Sequence, residues 1–162
     1  MSAPSHCRIR QLTADDIALV DALLLLFGEA CDDLDTYTSK KPSPEYVRQL
    51  LESDYFLALV ALEEETVVGG IIAYELKKFE QERSEIYLYD LAVAAAYRRK
   101  GIATRLIEEL RKIAAIRDAY VIFVQANTDI EDQPAIALYT KLGTREEVLH
   151  FDIAVKGSDT ST

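Results

Sequence analysis

The stretch YDLAVAAAYRRKGIATRLIEEL, Tyr89 to Leu110, decides how the rest of the chain is read. It starts as an apolar, strand-like run through Leu91, Ala92 and Val93, then sets Arg98, Arg99 and Lys100 side by side ahead of Gly101. From there Ile102, Leu106, Leu110, Ile113 and Ala114 recur at spacings of three and four, which is a helix with one buried stripe. A strand that turns into a helix aims several backbone N–H groups, and the positive end of the helix dipole, at one spot. Such a spot takes a phosphate, and a glycine there removes the side chain that would hold the phosphate off the backbone. The formal net charge is −10, so a local basic cluster is out of character with the rest of the chain. It suits a protein with one polyanionic ligand and one cationic ligand. On the pattern alone, a solvated helix start with Gly101 easing a turn accounts for the residues equally well. Neither G-x-x-x-x-G-K-[ST] nor G-x-G-x-x-G is present.

Outward from this stretch the chain reads as alternating strands and helices. Arg8 to Leu12 is a first strand, and Thr13, three before Asp16, is a capping-box-like start to a helix reaching Ala30. Asp32 to Pro42 reads as polar loop. Ser43 and Pro44 supply an N-cap and a first-turn proline for a second helix. Tyr55 to Glu63 and Thr66 to Leu76 are β-type runs joined by an acidic turn, with Gly69 and Gly70 marking a bulge or close packing. Glu85 to Val93 is a further strand, and Ala119 to Ala126 is apolar on both faces, as a central strand is. Pro134 opens the helix PAIALYTKL, and Gly143 stands where a left-handed C-cap is wanted. Glu146 to Val155 is expected to close the sheet, with residues 1–6 and 156–162 as frayed tails. The order β-α-α-β-β-β-α-β-α-β implies an α/β domain around one mixed sheet.

A chain of 162 residues is one ordinary domain, and 49% apolar with 28% charged residues is a soluble globular composition. The start MSAPSHCRIR has no apolar h-region, and the run Leu23 to Leu26 is far too short to span a bilayer, so no membrane partner is expected. Only Cys7 and Cys31 occur, which argues for a reducing cytoplasm and for small buried hydrophobes rather than nucleophiles. Net acidity argues against nucleic acid and suits a cationic partner. His6 and His150 lack metal-ligand spacing, and no metal is assigned.

RRKGIA, Arg98 to Ala103, fits the [Q/R]-x-x-G-x-[G/A] signature, and the chain resembles the GCN5-related N-acetyltransferases (GNAT). That resemblance implies a single domain, residues 1–162, with a central, mostly antiparallel twisted mixed sheet flanked by about four helices. It implies acetyl-CoA as co-substrate. N–H groups from Arg99 through Gly101, Ile102, Ala103 and Thr104 would bind the pyrophosphate, beside Arg98 and Lys100. The strand at Leu91, Ala92 and Val93 would pair with the pantetheine. ALYTKLG, Ala137 to Gly143, matches the late helix whose tyrosine, here Tyr139, lies beside the departing thiol. Segments from Leu26 to Ile153, among them TYTSKKP, FEQERSEIYLYDLAV, AYVIFVQA and HFDI, are similar to the type I aminoglycoside 3-N-acetyltransferases, the gentamicin-resistance branch. The loop Asn127 to Pro134 departs from that branch, which leaves the substrate range open.

Acetyl transfer to an amine needs a neutral amine, a polarised thioester and a proton for the leaving thiolate. Strand alternation puts Glu85, Tyr87 and Tyr89 on one face and Ile86, Leu88 and Asp90 on the other, subject to any bulge. Asp90, just before the pantetheine stretch, is the favoured base or amine anchor, with a core hydrogen-bonding role as its alternative. Glu85 is the second candidate, and Tyr139 is the expected general acid. Asp129, Glu131 and Asp132, with Asp32, Asp33 and Asp35 on the early loop and Asp152 late in the chain, are candidates for an anionic wall, against the plainer reading of solvated surface. Tyr37 and Tyr74 are either core packing or platforms for sugar rings. The expected reaction is direct transfer to the 3-amine of an aminoglycoside in a ternary complex, in a protein free to form a homodimer. A GNAT enzyme acting on a polyamine or protein amino-terminus, and a non-catalytic acyl-CoA sensor, remain the alternatives.

Overall fold

The structure is a computed structural model that describes residues 7–156. His6 and the expected tails, apart from Lys156, lie outside the described residues. The chain divides into two compact units, one up to Gln125 and one from Ala126 on.

The first unit is built on a five-stranded sheet in the order β1-β2-β3-β4-β5. The strands are β1 (Arg8–Gln11), β2 (Phe56–Glu63), β3 (Thr66–Lys77), β4 (Ser84–Val93) and β5 (Ala119–Val124). The first four pair antiparallel, and β5 joins β4 in parallel. Its helices are α1 (Ile17–Ala30), α2 (Leu34–Thr38), α3 (Pro44–Glu52) and α4 (Ile102–Ile116). The short α2 lies within the stretch expected to be loop; Asp33 caps it by accepting from the Thr36 N–H at 3.3 Å. The expected capping box survives in altered form. Asp16 is the N-cap residue of α1, but its carboxylate turns back to the Thr13 N–H and to Arg10 instead of capping the helix.

Adjacent glycines show how the sheet is covered. A Cβ on Gly70 would overlap Leu23 Cδ1 of α1, while one on Gly69 would sit 3.2 Å from Ile102 and 3.4 Å from Leu106 of α4. Neighbouring residues on a strand point to opposite faces, so α1 covers one face and α4 the other. Val60, Leu62 and Ala92 join Leu23, Leu26 and Phe27 under α1. The close approach expected at the two glycines is therefore real, and a register shift lies beside them between Ala61 and Leu62. At the far end of the sheet, the buried Glu75 carboxylate accepts from Ser84 at 2.6 Å and from Arg117 at 2.7 Å, tying β3, β4 and the end of α4 together. This satisfies a charge that burial would otherwise make costly.

The second unit contains α5 (Gln133–Leu142) and a preceding single turn of 3₁₀-helix, Ile130–Asp132. Two expectations fail here. Gly143 has φ −142°, ordinary extended backbone rather than a left-handed cap; its N–H closes the helix on the Tyr139 carbonyl at 2.8 Å and the chain runs straight on. Glu146 to Val155 is not a strand. Its alternating apolar residues are there, but they have no ladder partner among the described residues, and a strand needs its hydrogen bonds from a neighbour. Phe151 and Ile153 are accordingly 76% and 89% exposed.

Candidate active site

β5 accompanies β4 only as far as the pair Leu88–Val124, so from Tyr89 to Val93 the β4 edge on that side has no partner strand among the described residues. The backbone groups along Leu91 to Val93 that point to this edge, the Val93 carbonyl excepted, are thus open to an extended ligand. The chain then makes a 3₁₀ turn at Ala95–Tyr97 and enters the basic turn. Arg98 donates from Nε to the Val93 carbonyl at 3.1 Å, which braces the turn against the strand that precedes it. Arg99 and Gly101 both have positive φ, 62° and 79°. Two left-handed residues thus lead directly into the start of α4. The first helical bond runs from Arg105 N to Gly101 O, so the N–H groups of Gly101, Ile102, Ala103 and Thr104 are left for an outside acceptor. A Cβ at Gly101 would find no atom within 4 Å, so the space beside Gly101, at the head of these donors, is open. Lys100 Nζ sits 5.2 Å above the Tyr97 ring, holding a cation beside the same opening. These features fit a pyrophosphate and a pantetheine arm.

The bulge in β4 corrects the expected facing. Asp90 pairs with Ile72 but Leu88 pairs with Ala73, so Tyr89 is the extra residue. Paired residues of an antiparallel ladder share a face. Asp90 therefore lies on the α1 face with Ile72 and Ala92, the same side as Tyr87, and not with Ile86 and Leu88. A bulge inserts one residue and reverses alternation beyond it.

Asp90 opens into a cavity of about 180 Å³ whose wall includes Val20, Leu24, Phe27, Tyr37, Val47 and Tyr74. Among the described residues no hydrogen bond or ion pair reaches its carboxylate, and burial alone pushes its pKa above the usual carboxylate range. A half-buried carboxylate with no partner is expensive, and structures retain one where a ligand supplies the missing charge. Tyr37 and Tyr74 border it; burial first, and the Asp90 charge second, push both phenols up, so both stay protonated. From Phe56 the aromatic row continues sideways through Tyr74, Tyr87 and Phe123, each the cross-strand partner of the next. Tyr87 and Phe123 stack with ring centroids 4.6 Å apart.

Glu85 is differently placed. It pairs with Lys78 at 3.2 Å and accepts from the Tyr120 hydroxyl, and that hydrogen bond is the main cause of its lowered pKa. A carboxylate so held is a poor proton acceptor. The candidates for an anionic wall stay on the surface: Asp32, Asp33 and Asp35 are exposed at the start of α2, with Asp33 as its cap. In the second unit Asp132 accepts from the Asn127 N–H at 2.9 Å, Asp152 lies 2.9 Å from His150, and Asp129 and Glu131 are exposed. Tyr139 is half-buried on α5. Cys7 is buried as expected, but Cys31 is exposed beside Tyr37, whose hydroxyl it engages. The apolar cavity wall on α1 and α3 was not foreseen. Its signal was the excess of leucine in Leu23 to Leu26, more than one buried stripe requires.

Residues 26–144 match the model of the acetyltransferase (GNAT) family. Among curated protein sequences no relative matches. Among solved structures, an aminoglycoside acetyltransferase, HMB0005, from an uncultured soil metagenomic sample is 64% identical with a TM-score of 0.91, over 96% of this chain and 99% of that one. A second soil-metagenome aminoglycoside acetyltransferase, meta-AAC0020, solved with sisomicin, is 28% identical with a TM-score of 0.83, over 92% and 96%. The aminoglycoside N-acetyltransferase AAC(6')-Iy in complex with CoA, 17% identical with a TM-score of 0.71 over 95% and 98%, shares the fold. The family match over most of the chain, on a sheet with an open β4 edge and a phosphate-ready helix start, makes this chain a member of the GNAT acetyltransferases, which use acetyl-CoA.

Proposed function

We propose that this protein is an aminoglycoside N-acetyltransferase, that its acceptor is the 3-amine of gentamicin-type drugs, and that it works by direct transfer within a ternary complex, giving antibiotic resistance in the cytoplasm. The observation that carries the acceptor reading is the half-buried, unpaired Asp90 carboxylate on the stretch of β4 whose edge is open, where a drug ammonium supplies the missing charge while its sugar rings stay outside the apolar cavity. Similarity to HMB0005 and meta-AAC0020 supports the drug class. The whole chain acts as one acetyltransferase domain in this reading.

Acetyl-CoA supplies an activated acetyl thioester. Its pyrophosphate would be held by the N–H groups of Gly101 to Thr104 with Arg98, Arg99 and Lys100 around it, and its pantetheine along Leu91, Ala92 and Val93. Asp90 anchors the ammonium and accepts a proton from it; burial makes this carboxylate more basic than an exposed one, which favours the transfer. Tyr139 donates a proton to the departing sulfur and regains one from the nitrogen, which loses its second proton as the amide forms. Glu85, tied to Lys78 and Tyr120, keeps a structural role. The acidic residues at Asp32, Asp33, Asp35, Asp129, Glu131, Asp132 and Asp152 attract the polycation. The test is to incubate the purified protein with acetyl-CoA and a panel of gentamicin, sisomicin, spermidine and an amino-terminal peptide, following free thiol release and locating the acetyl group by NMR. Release with the peptide or spermidine alone would refute the assignment.

A further inference from the structure

The cavity beside Asp90 is a poor match for a sugar. Apart from Asp90, Tyr37 and Tyr74, its wall is Val20, Leu23, Leu24, Phe27, Pro42, Val47, Leu50, Phe56, Ala58 and Ile72. A hydroxylated ring pushed among such groups would lose its hydrogen bonds to water without replacing them. The volume, about 180 Å³, exceeds that of an engineered apolar cavity, about 150 Å³, that takes up benzene. The one ionised group at the wall, Asp90, has no protein partner among the described residues. An apolar body the size of one ring, ending in a cationic nitrogen, satisfies both features at once. From this we infer that the enzyme also acetylates small primary amines with an apolar body of about one ring, an arylalkylamine such as phenethylamine, with the ring in the α1–α3 cavity and the nitrogen at Asp90.

The inference rests on the acceptor role proposed for Asp90. The ammonium gives one proton to Asp90, which passes it to water. The freed nitrogen bonds to the thioester carbonyl carbon as the carbon–sulfur bond breaks, and its second proton ends on the leaving sulfur. The products are the N-acetyl amide, free CoA and one proton, with acetyl-CoA as the only co-reactant.

The experiment measures thiol release from acetyl-CoA with phenethylamine, methylamine and sisomicin, using wild type and Val20→Phe, which fills the cavity from α1. Phenethylamine should exceed methylamine in kcat/KM by at least about tenfold, the gain from burying a ring. In Val20→Phe the ratio of kcat/KM for phenethylamine to that for sisomicin should fall at least tenfold. The methylamine comparison needs only wild type, so the inference remains testable should Val20→Phe fold poorly. Turnover of sisomicin with no turnover of phenethylamine, or equal rates for phenethylamine and methylamine, overturns the inference and leaves the acceptor role of Asp90 standing. Turnover of neither sisomicin nor phenethylamine overturns both.

Discussion

Gly101 separates two costs that substitutions at phosphate loops usually mix. Its φ of 79° and ψ of 9° place it in the left-handed region, where a side chain costs about 1–2 kcal/mol. A methyl group there would meet no atom within 4 Å, so Gly101→Ala adds no steric penalty to the free protein. For a chain of this size, that strain lowers Tm by about 2–8 °C. The open space is, however, where a phosphate oxygen would approach the N–H groups of Gly101 to Thr104. A methyl there would remove one or two charge-assisted hydrogen bonds of about 1.5–3 kcal/mol each. Losing about 3 kcal/mol is a loss of about a hundredfold in acetyl-CoA affinity. Gly101→Val should be worse on both counts, because a β-branched residue is rarely found at positive φ. Calorimetric unfolding reads the first cost, and titration with CoA and acetyl-CoA reads the second. A folded Gly101→Ala protein that binds CoA within twofold of wild type would refute the loop's assignment as the phosphate site.

Asp90→Asn should abolish most turnover and remove the acidic limb of the kcat/KM profile. Because burial raises the Asp90 pKa, the stability this group contributes is fully present below the ordinary carboxylate value of about 4 and is lost as pH rises through the raised one. The Asn variant should therefore be the more stable protein at neutral pH, with the difference vanishing in acid; urea unfolding at both ends checks the sign. Tyr139→Phe should lower kcat with little change in either KM, and wild-type turnover would return Tyr139 to packing. The apparent affinity for gentamicin should weaken as salt rises and the Debye length shrinks to about 10 Å at 0.1 M, and Asp132→Asn should flatten that slope; a drug KM flat across the salt series would dismiss the acidic wall. Gly70→Ala should cost about 1–3 kcal/mol, since the new methyl overlaps Leu23 and lies 3.0 Å from the Leu59 carbonyl; an unchanged denaturation midpoint would show that α1 moves freely.

What the sequence determined by itself is what local physics determines. The helix start at Gly101, the Ser43–Pro44 start of α3, the stripe of α4 and the β2–β3 hairpin depend on residues a few positions apart, and each stands where the spacing put it. The choice between a solvated turn and a ligand-ready one needed three dimensions, because only the positive φ of Arg99 and Gly101 and the empty space before them distinguish the two. Asp90 shows the limit most clearly. Alternation along β4 sent it to the wrong face, since a bulge is a property of a pair of strands: Ile72 and Ala73, eighteen and fifteen residues before their partners, take Asp90 and Leu88 and leave Tyr89 over. Glu85 and Asp90 look alike as isolated carboxylates, and only their neighbours, Lys78 and Tyr120 for one and an apolar cavity for the other, give them different chemistry. The failure at Glu146 to Val155 has the same origin, because an alternating pattern expresses readiness to pair, whereas a strand exists only where another backbone supplies the hydrogen bonds.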